Sequence, residues 1–180
     1  MFTGQTLVKK EPPILKVVRN VGVISDTHVP KRARCIPKRV FEIFQGVDYI
    51  IHAGDLVELA VMDELEQIAP VLAVRGNSDG LDVAKALPKL DSLKVFDWKI
   101  GVIHEQNILD GLDSMSEIAK ANGFDVFVYG HTHIANILWE RKILYINPGS
   151  PTDPTGILNK PSVALLKITR ETITPQIITL

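Results

Sequence analysis

Three short apolar runs in the first half of the chain each lead into polar residues, and segments of helical periodicity separate them. The runs cover residues 21–24, 47–53 and 71–74. Pro37 at the start of the first helical segment and Gly46 after its end are typical helix boundaries. Strands that alternate with helices indicate an α/β fold with parallel strands. Such sheets bind ligands beyond the carboxyl ends of their strands, where Asp26, Asp55 and Asn77 lie.

The second half of the chain has more hairpin patterns than the first. A helical face made by Leu112, Met115 and Ile118 precedes one further buried strand. The predicted strands cover residues 93–98, 99–103, 125–129, 137–140, 143–146, 163–168 and 172–178, with turns at 97–99, 141–142 and 169–171. The sequence therefore predicts a two-sheet α/β sandwich with mixed sheets flanked by helices, with antiparallel strands in the second sheet.

Composition narrows the class of protein. The chain has 180 residues, 46% hydrophobic and 23% charged, which predicts a single domain over residues 1–180. Its net charge of -1 provides no basic field for nucleic acid. Cys35 is the only cysteine, which fits a reducing compartment. The sequence shows neither a signal peptide nor an apolar run of about 18 residues. We therefore expect a cytoplasmic protein without a membrane partner. Residues 1–19 are interpreted as an N-terminal extension or an edge strand, which leaves a homo-oligomer open.

The histidines have an unusual distribution. The chain has five, and each lies in or just after an apolar strand: His28, His52, His104, His131 and His133. A single histidine at a strand end more often has a structural role. Asp26 and His28, however, lie two residues apart, and extended backbone would point both side chains the same way, giving half of a metal site. Mixed imidazole and carboxylate ligands favour manganese, iron, cobalt, nickel or zinc over magnesium or calcium.

Five short blocks contain these residues: Asp26-x-His28, Gly54-Asp55, Gly76-Asn77, His104 and Gly130-His131-x-His133. As a set, they resemble the motifs of the calcineurin-like metallophosphoesterases. Their spacing, together with the Asn-Pro-Gly-Ser loop at residues 147–150, is similar to that of the small prokaryotic phosphodiesterase branch. The resemblance extends from about residue 21 to the final hairpin and implies the fold of that family.

The resemblance also implies a centre with two divalent ions. The ligands of the first ion would be Asp26, His28, Asp55 and His133, and those of the second Asp55, Asn77, His104 and His131. Asp55 would bridge the ions, because a carboxylate has two oxygens, and Asp55 and Asn77 are the predicted catalytic residues. The implied reaction is hydrolysis by in-line attack of a hydroxide shared by the two ions. Manganese is the expected metal, with nickel, cobalt, iron and zinc as alternatives.

A few positions are harder to interpret. Ser78 stands where many larger family members have a histidine that protonates the leaving group, so poor leaving groups should react slowly. Glu105 stands where the branch usually has glycine. Asp79 is interpreted as a turn or helix-capping residue. His52 is either an ordinary buried histidine or one that orients a metal ligand through its ring N–H.

The sequence thus predicts a metal-dependent phosphoric ester hydrolase, with a small phosphodiester as substrate. Two alternatives stay open. One is a phosphomonoesterase, and the other is a protein-interaction scaffold similar to the retromer vacuolar-sorting subunit, which has this fold and many of these motifs. All positions of the implied dinuclear site carry a suitable residue, which favours the enzyme.

Overall fold

The computed structural model describes residues 17–104 and 111–180 of the chain. Within them the elements are β1 (Arg19–Ile24), α1 (Lys38–Phe44), β2 (Tyr49–His52), α2 (Ala60–Glu66), β3 (Val71–Ala73), α3 (Leu81–Ala86), β4 (Leu90–Val95), β5 (Trp98–Ile103), α4 (Gly111–Asn122), β6 (Val126–Val128), β7 (Asn136–Glu140), β8 (Ile143–Asn147), β9 (Ser162–Ile168) and β10 (Ile173–Thr179). The predicted N-terminal extension lies outside the described residues up to residue 16, and so does Glu105. None of the helices in these two stretches is long and apolar enough to span a membrane.

The strands form two five-stranded sheets with the orders β10-β9-β1-β2-β3 and β4-β5-β6-β8-β7. The predicted two-sheet sandwich is confirmed. In the first sheet β1, β2 and β3 are parallel, and the β9–β10 hairpin joins β1 antiparallel. The second sheet is also mixed, since β5, β6 and β8 are parallel and only the edge strands β4 and β7 are antiparallel. The antiparallel strands that we expected in the second sheet are β4 and β7. The parallel pairing of β5 with β6 follows from α4, which connects these two strands as a crossover.

The largest apolar cluster lies between the sheets. It contains Val23 and Ile51 of the first sheet together with Val102, Val128 and Ile146 of the second, all fully buried. A second cluster packs α1 and α2 on the outer face of the first sheet, and a third packs α4 on the outer face of the second. Each fully buried aliphatic side chain of this size contributes about 1.5–3 kcal/mol. The sheets are thus fixed relative to each other by a continuous apolar interior.

Two local features differ from the sequence prediction. The helix α3 was not predicted, because Val83 is its only buried residue and it has no periodic apolar face. The β4–β5 turn also lies earlier than the predicted 97–99. Val95 pairs with Trp98, so Phe96 and Asp97 make the connection, and Phe96 has a positive φ of 54°.

Candidate metal centre

Polar residues from both sheets meet at one edge of the sandwich. The carboxyl ends of β1, β2 and β3 lead into loops of the first sheet at this edge, and those of β5 and β6 into loops of the second. The seven predicted ligands all lie in these loops: Asp26, His28, Asp55, Asn77, His104, His131 and His133. The structure therefore brings together residues that are up to 107 positions apart, since the first is residue 26 and the last is residue 133.

Four buried donors form the first group. His28 Nε2 lies 3.1 Å from His133 Nε2 and 3.5 Å from Asp55 Oδ2. Asp26 Oδ1 lies 3.3 Å from His133 Nε2. Donor atoms that bind one ion at about 2.1 Å are separated from one another by about 3.0–3.4 Å. The spacing and the chemistry of these donors therefore fit one divalent ion.

A second group lies beside the first and shares Asp55 with it. His104 Nε2 is 3.4 Å from Asp55 Oδ2 and 3.1 Å from Asn77 Oδ1, and Asn77 Oδ1 is 3.0 Å from His131 Nδ1. The Ser78 N–H donates to Asp55 Oδ1 at 2.7 Å, so that oxygen has a partner of its own. The same oxygen of Asp55, Oδ2, faces both groups. The sequence argument assumed that each ion would bind a different oxygen of Asp55. In the structure, only Oδ2 faces the two donor groups.

In two of the histidines, a hydrogen bond to a backbone carbonyl determines which ring nitrogen faces the cluster. The Nδ1–H of His104 donates to the Ala53 carbonyl at 2.7 Å, and that of His133 donates to the Asp153 carbonyl at 2.5 Å. A neutral imidazole with its proton on Nδ1 has its lone pair on Nε2. Both Nε2 lone pairs therefore face the cluster, as metal ligation requires. The Asp153 carboxylate also lies 3.2 Å from His133 Nδ1 and pairs with Arg32.

The charges within the cluster affect one another. Burial raises the pKa of the Asp55 carboxyl, but the hydrogen bond and charge of His104 and the N–H of Ser78 outweigh it, so this pKa lies below its usual value. Burial lowers the pKa of His104, but the hydrogen bond to Asp55 and the charges of Asp26 and Asp55 have a larger, opposite effect. The pKa of His104 is therefore raised above its usual value. The hydrogen bond to Asp26 is the main cause of the raised pKa of His133. Protons on these imidazoles compete with a metal, and we therefore expect metal affinity to increase with pH.

Five of the predicted ligands have left-handed backbone conformations. Their φ angles are 54° at Asp26, 47° at His28, 58° at Asp55, 71° at His131 and 58° at His133. Our prediction that extended backbone aligns Asp26 with His28 is therefore wrong, because both residues lie beyond the end of β1 in a tightly turning loop. For residues other than glycine this conformation costs roughly 1–2 kcal/mol each. Such strain is concentrated at functional sites.

Asp79 connects two of the ligand loops. Its Oδ2 accepts from the N–H of Gly76 at 2.6 Å and from that of Asp55 at 3.2 Å, and its Oδ1 accepts from the N–H of Val57 at 2.6 Å. One carboxylate thus ties the loop after β2 to the loop after β3, which holds Asn77. The sequence suggested only a turn or cap at this position, because nothing in its spacing shows that the second loop is adjacent.

The loop at residues 147–150 supports the centre from the other side. Asn147 Nδ2 donates to the Gly130 carbonyl at 2.9 Å and to Thr132 Oγ1 at 3.1 Å. Ser150 Oγ donates to the Asp26 carbonyl at 2.7 Å. This loop therefore positions ligand-bearing backbone from both sheets. Asp153, in the segment that follows, was not identified from the sequence because it lies 20 residues from His133 and belongs to no pattern.

His52 contacts the ligand loops, but in the described residues its hydrogen bonds reach no predicted ligand side chain. The Gly54 N–H donates to His52 Nδ1 at 3.2 Å, which leaves the ring proton on Nε2. That Nε2–H donates to Thr27 Oγ1 at 3.1 Å. Thr27 lies between Asp26 and His28, so His52 supports their loop through a hydroxyl group. Orientation of a ligand ring by His52 stays a prediction.

The burial of His52 predicts acid sensitivity. Burial lowers its pKa from 6.5 to about 3. Between these values the unfolded chain binds a proton that the folded chain does not, so the His52 contribution to the free energy of unfolding decreases as pH decreases, by up to about 1.4 kcal/mol per pH unit. We expect urea unfolding in a chelator to show a steeper decline below about pH 6.5 for the unsubstituted protein than for His52→Gln. Identical slopes would contradict this explanation.

The chain was also compared with known proteins. The calcineurin-like phosphoesterase superfamily domain matches residues 20–171. A probable metallophosphoesterase from Methanocaldococcus jannaschii is 45% identical over 136 residues, which cover 74% of this chain and 69% of that protein. A phosphodiesterase from the same organism is 32% identical over 152 residues, which cover 72% of this chain and 82% of that protein.

A solved structure gives a second comparison. Vacuolar protein sorting 29 from Cryptosporidium parvum superposes with a TM-score of 0.77 and 20% identity, covering 92% of this chain and all (100%) of that one, which shows the fold alone. The family model and the two archaeal relatives define the class as metal-dependent phosphoesterases. This chain belongs to the calcineurin-like phosphoesterase superfamily, as the sequence motifs predicted.

Proposed function

We propose that this protein is a dinuclear phosphodiesterase that uses manganese. The observation that carries the proposal is the position of Asp55 Oδ2, which lies 3.5 Å from His28 Nε2 and 3.4 Å from His104 Nε2. One ion would bind to Asp26, His28, Asp55 and His133, and the other to Asp55, Asn77, His104 and His131. Two divalent ions in this position would supply an acidified water for attack on phosphorus and positive charge for the phosphoryl oxygens.

The charges of the donors suit an anionic substrate. Asp26 and Asp55 are the acidic donors, whereas the Asn77 carbonyl and the imidazoles are neutral when they bind a metal. Two carboxylates offset only part of the charge of two divalent ions, so the centre would keep a positive charge that attracts a phosphodiester. The contacts of Asp79 with the backbone of Asp55 and Gly76 hold the bridging carboxylate and the Asn77 loop in place without adding a ligand.

Two observations support a diester rather than a monoester. The relative with 32% identity carries the name phosphodiesterase. Position 78 is a serine, which resembles the small phosphodiesterase branch, whereas many larger family members have a histidine there. The scaffold alternative is supported by the likeness to vacuolar protein sorting 29, which concerns the fold alone.

The direct test compares bis(p-nitrophenyl) phosphate with p-nitrophenyl phosphate, using metal-stripped protein before and after manganese is restored. We expect hydrolysis that requires manganese and prefers the diester. A preference for the monoester would keep the metal centre and overturn the substrate class. Absence of turnover with manganese, nickel, cobalt and zinc would overturn the enzyme and favour the scaffold.

The serine at position 78 leads to a prediction about leaving groups. In a series of methyl aryl phosphates, we expect kcat/KM to fall steeply as the pKa of the leaving phenol rises, because general acid catalysis worth about 10²–10⁴ is missing. The variant Ser78→His should show a shallower dependence, and its backbone N–H can still donate to Asp55 Oδ1. Ser92→His, at a position outside the centre, is the matched control. A flat dependence in the unsubstituted protein would contradict the prediction.

A further inference from the structure

A pocket opens beside the second donor group. Its lining is formed by Arg75, Gly76, Asn77, Lys89 and Ile103. Asn77 belongs both to this pocket and to the proposed ligands of the second ion, so the pocket adjoins the metal centre. Ile103 is the last residue of β5 and immediately precedes His104.

The ionisable residues that line this pocket within the described part of the chain are positively charged. Arg75 and Lys89 are its two ionisable residues, and no carboxylate lines it among residues 17–104 and 111–180. The backbone N–H of Arg75 donates to the Pro88 carbonyl at 2.9 Å, which holds the loop after β3 against the segment that contains Lys89. One guanidinium nitrogen, Nη1, donates to the Ala84 carbonyl. This contact fixes the direction of the Arg75 side chain and leaves further guanidinium N–H groups to bind a ligand.

We propose that the pocket is a substrate subsite for a second anionic group. The inference rests on the proposed function: the reacting phosphodiester would lie at the metal centre, and a carboxylate or phosphate elsewhere in the same substrate would occupy the pocket. A guanidinium binds either group through paired N–H donors, and the Lys89 ammonium adds a point charge. Ile103 supplies an apolar wall for the carbon atoms between the two groups. The substrate class is therefore a small organic phosphodiester with a second negative group.

Three substrates with one leaving group test this proposal. They are p-nitrophenyl alkyl phosphates whose alkyl chain ends in a methyl, a carboxylate or a phosphonate group. We expect the two anionic tails to lower KM about five- to tenfold relative to the methyl tail, with little change in kcat, because the tail binds away from the reacting bond. The anionic tail that gives the lower KM identifies whether the pocket prefers a carboxylate or a phosphate-like group.

Variants assign the effect to the pocket. Lys89 is exposed, so Lys89→Gln should fold normally and lose about two- to fivefold of the preference for anionic tails. Arg75→Lys keeps the charge and should retain part of the preference. Lys94→Gln is the matched control, because it removes the same charge from an exposed position of β4 that does not line the pocket. Equal KM values for the three tails, or a preference unchanged in Lys89→Gln, would overturn the subsite.

A binding measurement separates this inference from the proposed function. Calorimetry with butyl phosphate and with 4-phosphooxybutanoate, which has a carboxylate in place of the terminal methyl, needs no turnover. Absence of hydrolysis of all three esters would overturn the phosphodiesterase. In that case, tighter binding of the carboxylate compound by the unsubstituted protein than by Lys89→Gln would still support the subsite. Equal affinities would overturn it.

Discussion

Replacing Asp55 with asparagine should abolish manganese-dependent phosphodiester hydrolysis, with a loss in kcat/KM of about a thousandfold or more. The reason is the position of Asp55 Oδ2, which is within 3.5 Å of one imidazole in each donor group. Asparagine has nearly the same shape, and its carbonyl oxygen can still accept the N–H of Ser78. The substitution therefore removes the charge of the proposed bridge with little change to the loop.

The measurement combines steady-state kinetics with metal content after dialysis against dilute manganese. We expect the variant to lose both ions or to hold them weakly, since both donor groups lose an anionic ligand. Asp63→Asn is the matched control, because it makes the same chemical change on an exposed position of α2. A variant with full metal content and undiminished activity would show that Asp55 does not bridge the ions.

Replacing Gly76 with alanine should reduce kcat/KM about a hundredfold without removing a single donor atom. A Cβ at position 76 would lie 2.1 Å from Asp55 Oδ1 and 2.6 Å from the Asp55 backbone nitrogen. Either the carboxylate or its loop must move, and displacement of a reacting group by about 1 Å can cost a hundredfold in rate. We also expect the free energy of unfolding to decrease by about 1–3 kcal/mol because of overpacking.

Gly80→Ala provides the comparison within the same loop. Its φ of -69° is open to alanine, and the nearest atom to the added Cβ is the Val57 carbonyl oxygen at 3.2 Å. Chemical denaturation and kinetics on both variants should show a much larger effect at position 76. Equal, small effects would indicate that the loops around Asp55 adapt easily, which is inconsistent with a preorganised centre.

Much of the fold could be predicted because several strands are continuous apolar runs in the sequence. Residues 21–24 and 71–74 are continuous apolar runs, and they correspond to β1 and β3. The hairpin at Arg141 and Lys142 was also predictable. The parallel strands at the centre of the second sheet could not be predicted. The order of strands depends on where the α4 crossover places β6, and no local sequence pattern indicates this position. The short helix α3 was missed for the opposite reason, since it buries too little to leave a periodic signal.

The site was predicted as a set of residues but not as a geometry. The resemblance to the calcineurin-like metallophosphoesterases brought together the blocks around Asp26, Asp55 and His131, and the structure places them in one cluster. The left-handed backbone at the ligands could not be predicted, because asparagine, aspartate and histidine tolerate it without requiring it. The supporting contacts of Asp79 and Asp153 depend on loops that meet only in the folded chain. Their residue types gave no indication of those partners.

The origin of the donors in two different sheets has a thermodynamic consequence. Asp26 and Asn77 follow strands of the first sheet, whereas His104 and His133 follow strands of the second. Ions held by the proposed ligands would join the sheets across the open edge of their shared apolar interior, and unfolding would have to release them. By mass action, an ion at a hundred times its Kd adds about 2.7 kcal/mol to the stability of the folded chain. Resistance of this protein to heat would then depend on the free metal concentration around it.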